Sequence, residues 1–199
     1  MRNYIKNIYL KINFLLDFGV YQCYYIFMKI YTKRENITKL STTRFFCYNG
    51  IIASVYLTLV FIFQFMSFGQ VQFRIAECLT ILPALFPFST FGLTVGCFIS
   101  NFLSTWGWVD VVVGTLCTLV AGIMSSLIKN PYLSAIPPIL INAFVLPLTW
   151  YLFAGEVAYW INVLWVFIGQ AVVLYALGIP LYFIAKKQLL PIVYPTNKN

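Results

Sequence analysis

The sequence predicts an all-α integral membrane protein, a bundle of six transmembrane helices. Three observations carry this. Hydrophobic residues make up 61% of the 199 residues and charged residues only 9%, against about 25% charged in soluble domains. Mean hydropathy is +0.86. Beyond residue 44, apolar stretches alternate with short turns rich in Gly, Pro and polar residues, the pattern of consecutive spans. A chain this short and apolar leaves no room for a separate soluble domain.

Residues 1–43 read as a basic cytoplasmic N-terminal tail or as a mis-assigned start. The segment Leu10–Tyr31 is apolar and aromatic but is broken by Lys11, Asp17, Gln22 and Lys29, so it suits an interface better than a span. Met28 is an alternative start, because MKIYTKRENITKL is an ordinary basic lead. The membrane domain is 44–185, and 186–199 is a cytoplasmic C-terminal tail.

The first span is Phe45–Ser67, in which Gly50, Ala53 and Ser54 form a small-residue face that admits another helix. That face serves either packing within the bundle or docking of a partner. The second span, Arg74–Phe86, is short and broken by Pro83 and Pro87. The third is Phe91–Ser104, with Gly92 and Gly96 for close packing, and the fourth is Val109–Ile128. Lys129-Asn130-Pro131 ends the fourth, since proline cannot continue a hydrogen-bonded helix. The fifth is Leu133–Phe153 and the sixth Trp160–Ala185, stopped by Lys186 and Lys187.

Charge orients these spans. Residues 1–44 carry eight Lys or Arg and two acids, a net +6; the remainder carries five and three, a net +2. With the basic end inside, the inner loops and C-terminus hold Lys129, Lys186, Lys187 and Lys198, and the outer loops at 67–73, 105–108 and 154–159 hold no Lys or Arg. Both termini are therefore expected in the cytoplasm, with the chain in the plasma membrane. The local basic end suits anionic lipid rather than nucleic acid.

In that topology the polar residues converge. Arg74 and Glu77, three apart and so on one helix face, open the second span on the outer side. Asn101, Asp110, Glu156 and Asn162 also lie toward the outer side, with Asn142 and Gln170 near mid-membrane. Trp106, Trp108, Tyr151, Tyr159, Trp160 and Trp165 share the outer half. Each has a bland reading: an aromatic belt for the tryptophans, interhelical hydrogen bonds for the asparagines, a helix cap for Asp110, a structural pair for Arg74 and Glu77. Together they describe a pocket for a small, flat, hydrogen-bonding molecule. A carboxylate accepts two parallel N–H bonds from a guanine-like edge, a second carboxylate neutralises an ammonium, amides match a ring carbonyl and nitrogen, and aromatic faces stack on the base. A cationic guanine-like base fits this set, and so do several vitamins. The five cysteines (Cys23, Cys47, Cys78, Cys97 and Cys117) show no C-x-x-C spacing and no histidine accompanies them, so neither a metal site nor a disulfide framework is expected.

The stretches VQFRIAECLTILPALFP, GLTVGCFISNFLS, GWVDVVVGTLCTLVAG, IPPILINA and WINVLWVFIGQAVVLYALGIPL, in that order, resemble the QueT family over about Thr42 to Leu181. These are substrate-binding S components of energy-coupling factor (ECF) transporters. The resemblance implies the six-helix S-component fold and queuosine precursors, 7-deazaguanine bases such as the aminomethyl form, as ligands. It implies a transmembrane coupling protein and two cytoplasmic ATPases as partners, with the S component toppling in the membrane to release substrate inside. ATP would be used by those partners: this chain has no G-x-x-x-x-G-K-[ST] and is expected to bind no cofactor. Gly50, Ala53 and Ser54 stand where the family's alanine-based motif docks on the coupling protein.

Joined to the resemblance, the residue chemistry assigns expected roles. Glu77 would pair with the guanine-like edge, and Asp110 or Glu156 would take the ammonium. Arg74 would orient Glu77 or contact the ring carbonyl. Asn101, Asn142 and Gln170 would complete the edge contacts, and Trp108, Trp160 or Trp165 would stack. Two other classes compete. A stand-alone secondary transporter would favour an inverted repeat, which is not visible between residues 45–105 and 108–185. A membrane enzyme could use Glu77 and Asp110 as acid and base, but no nucleophile, histidine or metal-ligand set accompanies them.

Overall fold

A computed structural model describes residues 40–64, 73–104, 107–153, 155 and 157–194. All of the described helices belong to one unit, Leu40–Asn199. The tail readings before residue 40 and the site residue Glu156 lie outside the described residues.

The first helix, α1, spans Thr42–Ile62. Its buried residues Phe45, Asn49, Ala53, Tyr56 and Val60 recur every three or four positions, which places them on one stripe. That stripe packs on α3, Ser89–Asn101, through Gly92 and Gly96. Asn49 fixes the register: its Nδ2 donates to the Phe45 carbonyl at 2.8 Å and its Oδ1 accepts from the Gly92 amide at 2.7 Å. A Cβ at Gly92 would lie 2.6 Å from the Asn49 backbone oxygen, whereas one at Gly50 would meet nothing within 4 Å. Gly92→Ala is therefore expected to destabilise the folded protein by about 2 kcal/mol, by forcing two backbones apart. Gly50→Ala is expected to stabilise it by about 0.5–1 kcal/mol, by lowering the entropy of the unfolded chain. Unfolding of both variants in detergent measures the contrast.

Between these helices lies α2, Ile75–Ala84, a 3₁₀ helix. Every residue from Ala76 to Pro83 is buried, because α2 is enclosed by α1, α3, α4, the start of α5 and α6. At about 2.0 Å rise per residue, its ten residues reach about 20 Å, one third further than an α-helix of the same length.

The fourth helix, α4, is Asp110–Leu127 and opens with a π-helical turn, Asp110–Gly114. Pro131–Phe153 forms α5, beginning with the short turn Pro131–Ser134, where Asn130 Oδ1 accepts from the Tyr132 amide at 3.0 Å. Lys129-Asn130-Pro131 thus ends one helix and opens the next, since proline is well suited to a first helical position. Pro138 lacks the N–H that would bond the Ser134 carbonyl four residues back; the Ser125 hydroxyl of α4 donates to that carbonyl instead, at 2.7 Å. Tyr159–Gln188 forms α6, interrupted by a π turn at Leu174–Gly178. Gly178 lets that turn approach α2: a Cβ there would lie 3.3 Å from the Cys78 carbonyl oxygen. Lys186 and Lys187 sit in the last turn of α6, where cations complement the helix dipole. A final short helix, α7, is Leu190–Val193.

Four of these helices, α1, α4, α5 and α6, are long and apolar enough to cross a membrane. The six-span expectation is met only in part. With ten and thirteen residues, α2 and α3 fall short of the roughly 20 that an α-helical span needs. One boundary shifts: α3 runs from Ser89 to Asn101 rather than from Phe91 to Ser104. The expected end of the first span at Ser67 lies outside the described residues.

The polarity is arranged for lipid. Outward positions include Ile51, Val55, Phe61, Leu116, Val120 and Leu164, while Asn49, Glu77, Asn101, Asp110, Asn142 and Gln170 are buried. Water-soluble proteins rarely bury so many polar side chains. At one end of the bundle meet the end of α1, the starts of α2, α4 and α6, and the ends of α3 and α5. Aromatic contacts close the opposite end, where Phe45 and Tyr48 meet Phe88 and Phe86 meets Tyr194.

Candidate functional site

A buried polar cluster occupies the end where α2 begins, and five helices build it. Arg74 precedes the first residue of α2, and Glu77 lies in its first turn with its amide bonded to the Arg74 carbonyl at 2.9 Å. In a 3₁₀ helix residues three apart eclipse one another, so both side chains leave α2 on the same side. From α1, Tyr56 donates its hydroxyl to Glu77 Oε1 at 2.8 Å. Tyr56 is 0% exposed and Glu77 1%.

Arg74 Nη2 donates to Asn101 Oδ1 at the end of α3. The same amide turns its Nδ2 toward α4, bonding the Asp110 carbonyl at 2.9 Å and approaching Cys97 Sγ at 3.4 Å. Gly114 makes room for it, because a Cβ there would lie 2.7 Å from Asn101 Nδ2. The Thr118 hydroxyl lies 3.0 Å from the Gly114 carbonyl and 3.2 Å from Cys97 Sγ, so the π turn keeps a polar partner on its inner side. The Asp110 carboxylate is held from two sides: Ser104 donates to Oδ2 at 2.5 Å and the Trp150 indole of α5 donates to Oδ1 at 3.0 Å.

Arg74, Glu77, Asn101 and Asp110 are thereby brought together. Arg74 donates to Asn101, and the Tyr56 hydroxyl donates to the Glu77 carboxylate. Asn101 spends both ends of its amide within the protein. Asn142 is buried on α5, and Gln170 is buried on α6, which packs on α2 and α5. The tryptophans are placed elsewhere. Trp108 is 72% exposed, edge-on to Phe102, and Trp160 is 73% exposed beside Tyr159; Trp165 is exposed as well. None of the three joins the buried cluster, an arrangement that suits an interfacial belt. Trp160 instead lines a shallow surface cavity of about 570 Å³ with Tyr151, Tyr159 and Leu148. The docking residues divide: Ala53 is buried against Gly96, while Gly50 and Ser54 are exposed.

Sequence reasoning missed Tyr56, Ser104 and Trp150. Tyr56 carried one available signal, since it lies three and seven residues beyond Ala53 and Asn49 on the inward stripe of α1. Its partner, 21 positions away, was not legible.

Two buried acceptors in this end and mid-region of the bundle, Glu77 Oε2 and Gln170 Oε1, have no hydrogen-bond partner among the described residues. A buried acceptor left unsatisfied costs about 1–3 kcal/mol, and more when charged. Formally, one arginine and two carboxylates leave the cluster of Arg74, Glu77 and Asp110 with one negative charge. Such a site is suited to a ligand rich in N–H donors and carrying positive charge.

Comparison with known proteins agrees in kind. A relative from Lactococcus lactis subsp. cremoris (strain MG1363), named queuosine precursor transporter QueT, is 42% identical over 73 residues. The match covers 36% of this chain and 43% of that protein, less than half the relative's length. No solved structure matches the chain. The family model described as QueT transporter matches residues 46–187, which include α2 to α5, most of α1 and nearly all of α6. The chain therefore belongs to the QueT transporter family, a family of multi-pass membrane transporters and not of enzymes.

Proposed function

We propose that this chain is the substrate-binding S component of an ECF-type importer, and that it captures a queuosine precursor, a 7-deazaguanine base, from outside the cell. The observation that carries the reading is Glu77: a buried carboxylate with one oxygen anchored by Tyr56 and the other without a donor among the described residues. A guanine-like edge supplies a ring N–H and an amino N–H, which are the donors this carboxylate lacks. Gln170 Oε1 is a second such acceptor. The formal negative charge favours an aminomethyl substituent, which is protonated at neutral pH. The name carried by the Lactococcus relative supports the same ligand class.

In this reading α2 and α3 complete a six-helix S-component bundle with the four longer helices. The polar end faces outward and both termini lie in the cytoplasm, an orientation supported by the lysine distribution. The chain is one subunit: a transmembrane coupling protein and two cytoplasmic ATPases supply the energy, with ATP used by those partners. The coupling protein docks on the outer face of α1, where Gly50 and Ala53 border a groove of about 150 Å³ with Phe46, Asn49, Phe91, Gly92 and Val95. Ser54 lies on the same exposed side of α1.

Calorimetric titration of the purified chain, without partners, against 7-deazaguanine bases, guanine and common vitamins tests the proposal. Binding to the deazaguanines in the range of about 1 μM or tighter is expected, corresponding to about 8 kcal/mol. Preference for a vitamin would keep the subunit assignment and replace the ligand. No heat with any of them would overturn the binding role assigned to Glu77.

A further inference from the structure

Tyr56 stands outside the residues that the sequence singled out, yet its hydroxyl donates an inter-helix hydrogen bond to the Glu77 carboxylate. A core aromatic does not need a hydroxyl; phenylalanine would fill the same volume. A buried glutamate, by contrast, needs its carboxylate plane fixed if it is to meet two parallel donors, because its side chain rotates about three bonds. We propose that Tyr56 is a positioning residue of the binding site: its hydroxyl anchors Glu77 Oε1 so that Oε2 is presented to the amino group that distinguishes a guanine-like base. This rests on the substrate reading given above.

The architecture supports a fixed tyrosine. The ring inserts over Gly96 of α3, where a Cβ would lie 3.0 Å from Tyr56 Cβ and 3.2 Å from its Cδ1. Two turns earlier on α1, Asn49 is bonded to the Gly92 amide at 2.7 Å, which stops α1 from sliding along α3. Tyr56 is fully buried, so water does not compete for the Glu77 oxygen that it holds. The site therefore borrows its orientation from the α1–α3 contact.

The test compares two bases on the purified full-length chain in detergent: 7-deazaguanine and 7-deazahypoxanthine, which lacks the exocyclic amino group. The wild-type protein is expected to prefer the amino-bearing base. Tyr56→Phe is expected to shrink that preference by about tenfold, the loss set by one hydrogen bond to a charged group. 7-Deazahypoxanthine keeps the ring N–H and lacks only the amino group that Oε2 meets, so its affinity is expected to fall by less, under about threefold. Gly96→Ala, which pushes the ring without removing its hydroxyl, is expected to shrink the preference in the same direction. An equal fall in affinity for both bases would make Tyr56 a packing residue only and overturn the proposal, and so would an unchanged preference in folded variants. Should the wild-type protein bind neither base, the substrate reading itself falls and takes this inference with it.

Discussion

Glu77→Gln is expected to weaken binding of a 7-deazaguanine base by about 100-fold, two hydrogen bonds to a charged acceptor being worth about 3 kcal/mol together. The substitution keeps shape and volume, so packing around α2 is preserved. What changes is the acceptor set: the amide turns two N–H donors toward a region where the ligand also offers N–H groups. Donor faces donor, and the formal negative charge that favours a cationic substituent is gone. Unfolding in detergent should move little, because the tyrosine hydroxyl still finds an oxygen on the glutamine. Calorimetry read together with unfolding separates the two effects. A hundredfold loss at unchanged stability places Glu77 on the ligand. Unchanged affinity would remove it from the site and leave Gln170 Oε1 as the remaining open acceptor.

Asp110→Ala is expected to act on the fold instead, lowering stability by about 3 kcal/mol through the loss of two charge-assisted hydrogen bonds in a buried setting. Its carboxylate joins three segments: Ser104 after α3, the π turn of α4 and Trp150 near the end of α5. Alanine removes the acceptor from both donors and opens a void between the helices. Asp110→Asn offers a carbonyl to the Trp150 indole and an amino group to the Ser104 oxygen, so stability within about 1 kcal/mol of wild type is expected. Affinity for 7-deazaguanine, which carries no ammonium, is expected to stay within about threefold in the asparagine variant. A tenfold or larger fall there would place Asp110 on the base itself. The pair of variants thus assigns one carboxylate to recognition and the other to architecture.

The contrast between these two acids shows how much was legible beforehand. Both were visible in the sequence as charges in an apolar chain, and both were assigned to one end of the bundle. Their separate roles were not visible. The difference lies in which donors surround each carboxylate, and those donors come from helices 21 and 40 residues away. Tyr56 and Trp150 read in isolation as ordinary membrane aromatics. Of the tryptophans named as stacking candidates, Trp108 and Trp160 project from the bundle. Residue type alone does not tell an inward-facing helix position from an outward one when both are apolar.

The helical class, the turns and the polar end came from the sequence by itself. These depend on local quantities: hydropathy over about 20 residues, the missing N–H of proline, the preference of cations for one side of a membrane. Only the tertiary structure decided that α2 is a buried 3₁₀ helix around which the others pack, that Ala53 turns inward while Gly50 and Ser54 turn outward, and that one Glu77 oxygen meets no donor among the described residues. Those outcomes depend on how closely helices approach at Gly92, Gly96, Gly114 and Gly178, and on which donor reaches which acceptor across the gap. Distances between elements far apart in the chain set both, and no local pattern of residues encodes them.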